Sequence, residues 1–257
     1  MVKLNTIYNE DCLEGMKRIP DESVDMILCD LPYGTTKIKW DVVIPFGPLW
    51  KEYERVIKDD GAILLFGSQP FTTDLIMSNR KMFKYDLVWD KQTGTDFQLA
   101  NKKPMKAHEN ICVFYKKAPK YNPQKTKRDK PLDKRNWSKV NSKTDNNNLS
   151  SKQRAGGILT EKFPTTLVSF SCFMEECNNP KRVHPTQKPV ALFEWLVKTY
   201  TDEGETVLDN CMGSGTTAIA CLNTDRQYIG FELDEEYHKL SVERIKNHKQ
   251  QLSLIEV

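Results

Sequence analysis

The chain has 257 residues, 39% of them hydrophobic and 10% aromatic, enough to bury one sizeable core with room for a smaller subdomain. Its seven cysteines are odd in number and mostly sit in apolar runs, no signal-peptide pattern opens the chain, and no run reaches the roughly 18 apolar residues of a spanning helix; a disulfide scaffold and a membrane protein are therefore excluded, and a reducing cytoplasm is expected. The net charge of +3 hides an asymmetry: residues 116–182 carry a net +10 and the remainder −7, which points to a polyanionic partner met by one region, or else to a solvated basic insertion.

In chain order, Leu4–Tyr8 reads as a short strand and is followed by a helical run to about Arg18. Val24–Cys29 is a buried strand that delivers Asp30, and Thr35–Pro45 is a loop carrying Trp40. Leu49, Trp50, Tyr53, Val56 and Ile57 have helical spacing within 46–58, and Asp59-Asp60-Gly61 closes that helix. Ala62–Phe66 is expected as a strand, Pro70–Asn79 as a helix, and Tyr85–Trp89 and Asn110–Tyr115 as two further strands. From about 116 Lys, Asn, Ser, Pro and Thr dominate, with no repeat and no clean period, so part of 120–160 is expected to need a partner to order it. Order returns at His184-Pro185-Thr186, with Thr186 as the expected N-cap of a helix carrying Val190, Leu192, Phe193, Leu196 and Val197. The strands Thr206–Leu208 and Gln227–Phe231 and the amphipathic helix Glu235–Lys246 complete an alternating pattern, which predicts a doubly wound α/β sheet.

Two segments carry chemistry. Cys29-Asp30-Leu31-Pro32-Tyr33-Gly34 places an acid, a rigid turn and an aromatic where a buried strand stops. The carboxylate and a backbone carbonyl can accept both protons of one exocyclic amine, and the Tyr ring can stack on the base that carries it. Downstream, Asp209-Asn210-Cys211-Met212-Gly213-Ser214-Gly215-Thr216-Thr217 joins a strand to a helix start, a place where a ligand can approach the backbone closely. Glu232, at the end of the next strand, is placed to bind a ribose diol. Alone, this Gly-x-Gly-x-x-Ala run fits NAD as well as another adenosine cofactor; it is no Walker A loop, because no Lys follows the glycines.

With His184-Pro185-Thr186-Gln187-Lys188-Pro189 between them, the two segments give three motifs in one order. In that order the chain resembles the amino-directed DNA methyltransferases that use S-adenosylmethionine, specifically the group in which the catalytic motif precedes the cofactor motif; the resemblance covers about 1–115 and 184–245. It implies a seven-stranded-type methyltransferase sheet, with 1–115 as the catalytic half, 116–182 as the target-recognition region and 183–257 as the cofactor half. It implies Asp30, Leu31, Pro32 and Tyr33 as the catalytic turn acting on a flipped base in duplex DNA. It also implies a cofactor site drawn from Asp11, Cys12, Asp30, His184, Thr186, Lys188, Asp209, Cys211, Gly213, Ser214, Gly215, Thr216, Thr217, Glu232 and Leu233. Within it, Asp11 would take the adenine amine, and Thr186 and Lys188 would close over the methionine end. No metal is implied; a homodimer and a cognate restriction endonuclease are the expected partners.

One departure is Leu31, which stands where the family tetrapeptide has its first proline. The carbonyl role survives, and the turn is expected to be less rigid. Asp at the head of the tetrapeptide resembles the adenine-N6 enzymes, with cytosine-N4 as the alternative. RNA or protein methylation, an NAD-linked oxidoreductase and a nucleic-acid-binding protein with a decayed site are weaker readings. Covalent cytosine-C5 chemistry needs a Pro-Cys pair, and none of the seven cysteines follows a proline. Cys172 and Cys177 with His184 make no convincing zinc pattern. Candidate DNA contacts are Lys102, Lys103, Lys106, Lys127, Arg128, Lys130, Arg135, Arg154 and Arg182, with Trp40 and Trp137 as wedges or packing residues.

Overall fold

The computed structural model describes residues 2–35, 41–133, 158–172 and 187–255. They form ten strands: β1 (Thr6–Asn9), β2 (Val24–Cys29), β3 (Ile57–Gly67), β4 (Phe83–Thr95), β5 (Lys106–Phe114), β6 (Thr126–Asp133), β7 (Ile158–Lys162), β8 (Leu167–Ser169), β9 (Thr206–Asp209) and β10 (Gln227–Glu232). The α-helices are α1 (Cys12–Met16), α2 (Phe46–Val56), α3 (Phe71–Ser78), α4 (Val190–Tyr200), α5 (Thr216–Asn223) and α6 (Glu235–Ile255). The chain divides into two compact units, Met1–Asn122 with Thr166–Val257, and Pro123–Thr165.

The first unit is built on one sheet in the order β1-β10-β9-β2-β3-β5-β4-β8. Pairing is parallel from β1 through β3, antiparallel at β3/β5 and β5/β4, and parallel at β4/β8. The mostly parallel α/β sheet expected from the alternation is present, with one strand more than the seven-stranded pattern. That strand, β8, falls in sequence within 116–182; it joins the edge of β4, and Val168 is buried there. Residues 116–122 also belong to this unit, through Lys116 and Lys117 on Asp59 and the Asn122 amide on the Thr199 carbonyl at 2.8 Å.

Residue alternation along the central strands separates two cores. Met26 and Leu28 of β2, Leu64 and Phe66 of β3 and Ile111 and Val113 of β5 face α4, α5 and α6. Ile27 and Cys29, Ile63 and Leu65, and Cys112 and Phe114 face α1, α2 and α3. Strands covered by helices on both sides are apolar at every position, which is why Met26–Cys29 and Ala62–Phe66 read as unbroken apolar runs. α4 begins later than Thr186 would have it: its N-cap is Pro189, with no side-chain cap. Proline suits a helix start because the amide it lacks would have had no intrahelical partner.

β9 and β2 lie side by side at the centre. Because β1, β10, β9, β2 and β3 run parallel, the carboxyl ends that carry Asn9, Glu232, Asp209, Asp30 and Gly67 fall along one edge. The connections from β2 and from β9 lead away in opposite directions along the sheet, and the crevice outside such a switch point is where open α/β sheets bind ligands.

The second unit contributes the antiparallel pair β6/β7, with Lys125 beside Glu161 at 3.5 Å and the Lys125 ammonium 4.9 Å from the Phe163 ring centre.

Candidate active site

A cavity of about 910 Å³ opens at that edge. Asp11, Cys12, Asp30, Leu31, Pro32, Tyr33, Lys188, Asp209, Cys211, Gly213, Ser214, Thr216, Thr217, Glu232 and Leu233 all line it, so residues 222 positions apart are brought to one wall. Trp40, His184, Thr186, Arg135, Trp137, Arg154, Arg182 and Cys177 lie outside the described residues.

The turn after β2 is fixed by its neighbours. Leu31 is buried at 4% exposure in the core beneath α2, so side-chain burial anchors the turn where a proline would have stiffened it. The Gly34 amide donates to Asp41 Oδ1 at 2.8 Å, with Gly34 at φ +66°. Tyr33 stacks on Phe71, ring centres 5.0 Å apart, and its hydroxyl donates to Asp30 Oδ1 at 2.7 Å. Lys188 Nζ donates to Asp30 Oδ2 at 2.6 Å. It also lies 3.2 Å from Glu109 Oε2, and Glu109 Oε1 in turn pairs with Lys91. Burial pushes the Asp30 carboxyl above the usual carboxylate range, against the pull of Lys188. Burial works the same way on Glu109, but the ammoniums of Lys188 and Lys91 overcome it and hold that carboxyl at about 2. Burial opposes the charge on Lys188; Asp30 and Glu109 outweigh it and hold the ammonium above its ordinary range.

The loop after β9 works mainly through its backbone. Asp209 Oδ1 accepts from the Cys211 amide at 3.0 Å and Oδ2 from the Thr217 hydroxyl, while burial pushes its carboxyl up to about 6. Glu232 accepts from the Gly213 amide at 2.7 Å and the Asp234 amide at 2.9 Å, so it clamps the loop that it faces. Gly213, at φ +52°, is on the cavity wall; a Cβ there would meet only the Cys211 carbonyl, at 3.9 Å. Gly215 does not line the cavity. Its φ of +79° makes the turn into α5, and a Cβ there would come within 3.3 Å of Ser241 and 3.4 Å of Ile245 on α6. No side chain caps α5, so the positive end of its dipole is left at Thr216 and Thr217 on the cavity wall. Asp11 caps α1, taking the Leu13 and Glu14 amides on Oδ1 at 2.8 and 3.2 Å.

The DNA methylase family model of the N6/N4 methyltransferases matches residues 24–243, most of the chain. The chain belongs to the N6/N4 DNA methylase family. Among curated relatives, the DNA adenine methyltransferase YhdJ of Escherichia coli is 29% identical over 93% of this chain and 82% of its own length. The type II methyltransferase M.HpaI of Haemophilus parainfluenzae is 25% identical over 91% and 72%. Among solved structures, the M1.HpyAVI–SAM complex shares the fold at a TM-score of 0.62 and 24% identity, over 93% of this chain and 98% of that one. The cytosine-N4-specific PvuII DNA methyltransferase does so at 0.65 and 18%, over 94% and 86%.

This N6/N4 methylase is S-adenosylmethionine-dependent, and the cavity suits such a ligand. One wall has an open glycine and an uncapped helix start, suited to a carboxylate, and Glu232 supplies acceptors beside it. Gln187 Oε1 is buried without a hydrogen-bond partner among the described residues and lines the same cavity, an acceptor ready for a ligand donor. The sequence reading passed over Gln187, although it sits between Thr186 and Lys188. It also passed over Lys91 and Glu109, which lie in polar surroundings just beyond the apolar runs expected as strands at Tyr85–Trp89 and Asn110–Tyr115. Burial pushes the Cys29 thiol beside the cofactor loop up to about 12.

Of the candidate DNA contacts, Lys102 is exposed and Lys103 pairs with Asp96 at 3.0 Å, both near the tip of the β4–β5 hairpin. That tip also presents Phe97 at 80% exposure. Lys106 is half-buried and bonded to the Ser68 hydroxyl, so its ammonium is engaged within the fold. In the second unit Lys127 and Lys130 are exposed, and Arg128 Nε donates to the Glu161 carbonyl at 2.9 Å. No helix among the described residues is long and apolar enough to cross a membrane.

Proposed function

We propose that this DNA methyltransferase acts on adenine N6 of a base flipped out of duplex DNA. The observation that carries the reading is Asp30 at the carboxyl end of β2, on the wall of the cavity it shares with the Gly213 loop and Glu232, with a lysine on one carboxylate oxygen. Asp rather than Ser at the head of the tetrapeptide, and the adenine activity in the name of the YhdJ relative, support adenine over cytosine.

When bound, S-adenosylmethionine supplies an electrophilic sulfonium methyl group. The first residues of α5 and the Gly213 backbone would hold its carboxylate end, Gln187 would accept from its ammonium group, and Glu232 would accept from its ribose hydroxyls on lone pairs that the Gly213 and Asp234 amides leave. Asp11, with Oδ1 committed to capping α1, would use Oδ2 for the adenine amine. Adenine N6 is a weak nucleophile because its lone pair is delocalised into the ring. The Asp30 carboxylate and the Leu31 carbonyl would accept its two protons and stabilise the positive charge that grows on nitrogen during attack. Holding nitrogen and methyl in line is a large further part of the rate. Tyr33 would stack on the base with the ring face that Phe71 does not cover.

Exposed Lys102, Lys127 and Lys130 would contact phosphates, Phe97 would meet the duplex at the hairpin tip, and 116–182 would supply target recognition. The type II methyltransferase relatives support a restriction–modification setting, with a cognate endonuclease as partner. The test is sequencing of modified bases in plasmid DNA from cells making the chain, beside the Asp30→Ala variant. N6-methyladenine in one short motif, absent with the variant, is expected. N4-methylcytosine would move the chemistry to the other amine, and unmodified DNA would overturn the reading.

A further inference from the structure

Three charged side chains stand beside the proposed catalytic carboxylate on the cavity wall, drawn from segments apart in sequence. Lys91 of β4, Glu109 of β5 and Lys188, just before α4, are each only 8% exposed. The Trp89 and Phe66 rings lie 5.4 Å from the Lys91 and Lys188 ammoniums. A single buried Asp–Lys pair would already be neutral. Adding a second pair brings a further desolvation cost, which hydrogen bonds must offset, so stability gives weak grounds for it. What the second pair does is geometric. Glu109 Oε2 holds the Lys188 ammonium at 3.2 Å while that ammonium meets Asp30 at Oδ2, and the Tyr33 hydroxyl, which donates to Asp30 Oδ1, also lies 3.4 Å from Glu109 Oε2. Lys91 neutralises Glu109 through its other oxygen.

We propose that Glu109 is a positioning residue for methyl transfer, holding Lys188 against Oδ2 of Asp30 so that the carboxylate meets the target amine as an oriented anion, with Lys91 as its counter-ion. The inference rests on the assignment of Asp30 as the group that binds the amine. The charged and titratable groups facing Asp30 are Lys188, Glu109 and Tyr33, with Asp209 on the adjacent strand β9 and Lys91 behind Glu109. Lys188 favours the Asp30 anion by its charge, Glu109 opposes it, and the neutral Tyr33 hydroxyl favours it by donating a hydrogen bond.

The test measures turnover against pH with unmethylated genomic DNA and tritiated S-adenosylmethionine, together with cofactor affinity and thermal stability. Glu109→Gln should cut turnover about 10–100-fold, the range for a displaced reacting group, with cofactor affinity unchanged. Its acid limb should move to lower pH, because the negative charge beside Asp30 is gone. Lys188→Met should move the limb to higher pH. In the charge-balanced Lys91→Met/Glu109→Gln pair the limb should return towards its wild-type position while turnover stays low, because Lys188 has lost its anchor. That pair carries the test if Glu109→Gln alone does not fold. Wild-type turnover in either Glu109 variant, or lost activity that tracks thermal stability with no movement of the limb, would overturn the proposal. Wild-type turnover in Asp30→Ala would instead overturn the catalytic assignment beneath it; an inactive Asp30→Ala beside an unaffected Glu109→Gln removes only the role of Glu109.

Discussion

The two sides of the cavity are made from different materials. Around Gly213 the wall is backbone: an open glycine, a clamped loop and an uncapped helix start, almost all from residues 209–217 with Glu232 closing over them. Around Asp30 the wall is four ionisable side chains from the end of β2, from β4 and β5, and from the segment before α4, the paired Asp30 and Lys188 lying 158 positions apart along the chain. The backbone side tolerates changes in side chain except where shape forbids them. The ionic side depends on balance, because removing one charge leaves its partner buried and uncompensated.

The comparison is sharpened first at Asp30. Asp30→Ala should lower turnover by about 10³-fold or more while cofactor binding, measured by calorimetry, remains detectable. Loss of cofactor binding would show that the two sides do not act separately. The two glycines then divide the backbone side. Gly213→Val puts a side chain into the cavity and should weaken cofactor binding by about tenfold, a cost near 1.4 kcal/mol, in addition to the strain of a β-branched residue at φ +52°. Gly215→Val, strained in the same way but also pressed against α6 and away from the cavity, should lower unfolding free energy by about 1–2 kcal/mol in denaturant titration with cofactor affinity little changed. Equal effects of both substitutions on cofactor affinity would break the distinction between wall and turn.

The ionic side should show itself in acid. Glu109 is held at about 2, below its ordinary value of 4.5, so it contributes stability that is fully present above about 4.5 and is lost as pH falls towards 2. The stability of the wild type relative to Glu109→Gln, from urea titrations, should therefore shrink across that window; a constant difference would mean that Glu109 is not held as an anion. The smallest effect is expected in the second unit. Arg128→Ala with Lys130→Ala should weaken DNA binding and flatten the dependence of log affinity on log salt by about one to two. An unchanged slope would remove both from the DNA-contact set.

What could be read from sequence was whatever a contiguous stretch encodes. Asp30-Leu31-Pro32-Tyr33, the Asp209–Thr217 loop and the apolar runs of β2, β3, β9 and β10 carry their meaning in local spacing, and they were enough for the fold class and for placing the glycine-rich loop and the acid after β2 on one edge. Local spacing is silent about which distant residues share an edge. Gly213 and Gly215 look equivalent in the motif, and only the packing of α6 shows that one faces the cavity and the other faces a helix. Leu31 reads as a loosened turn until its burial is seen. Lys91 and Glu109 look like ordinary polar residues where two apolar runs begin or end. The antiparallel return of β5 beside β3 and β4 brings them to the carboxyl edge where β2 ends, and there their charges find Lys188 and Asp30. Ion pairing acts through space at a few ångströms, so the chain order determined the parts and the sheet decided which of them meet.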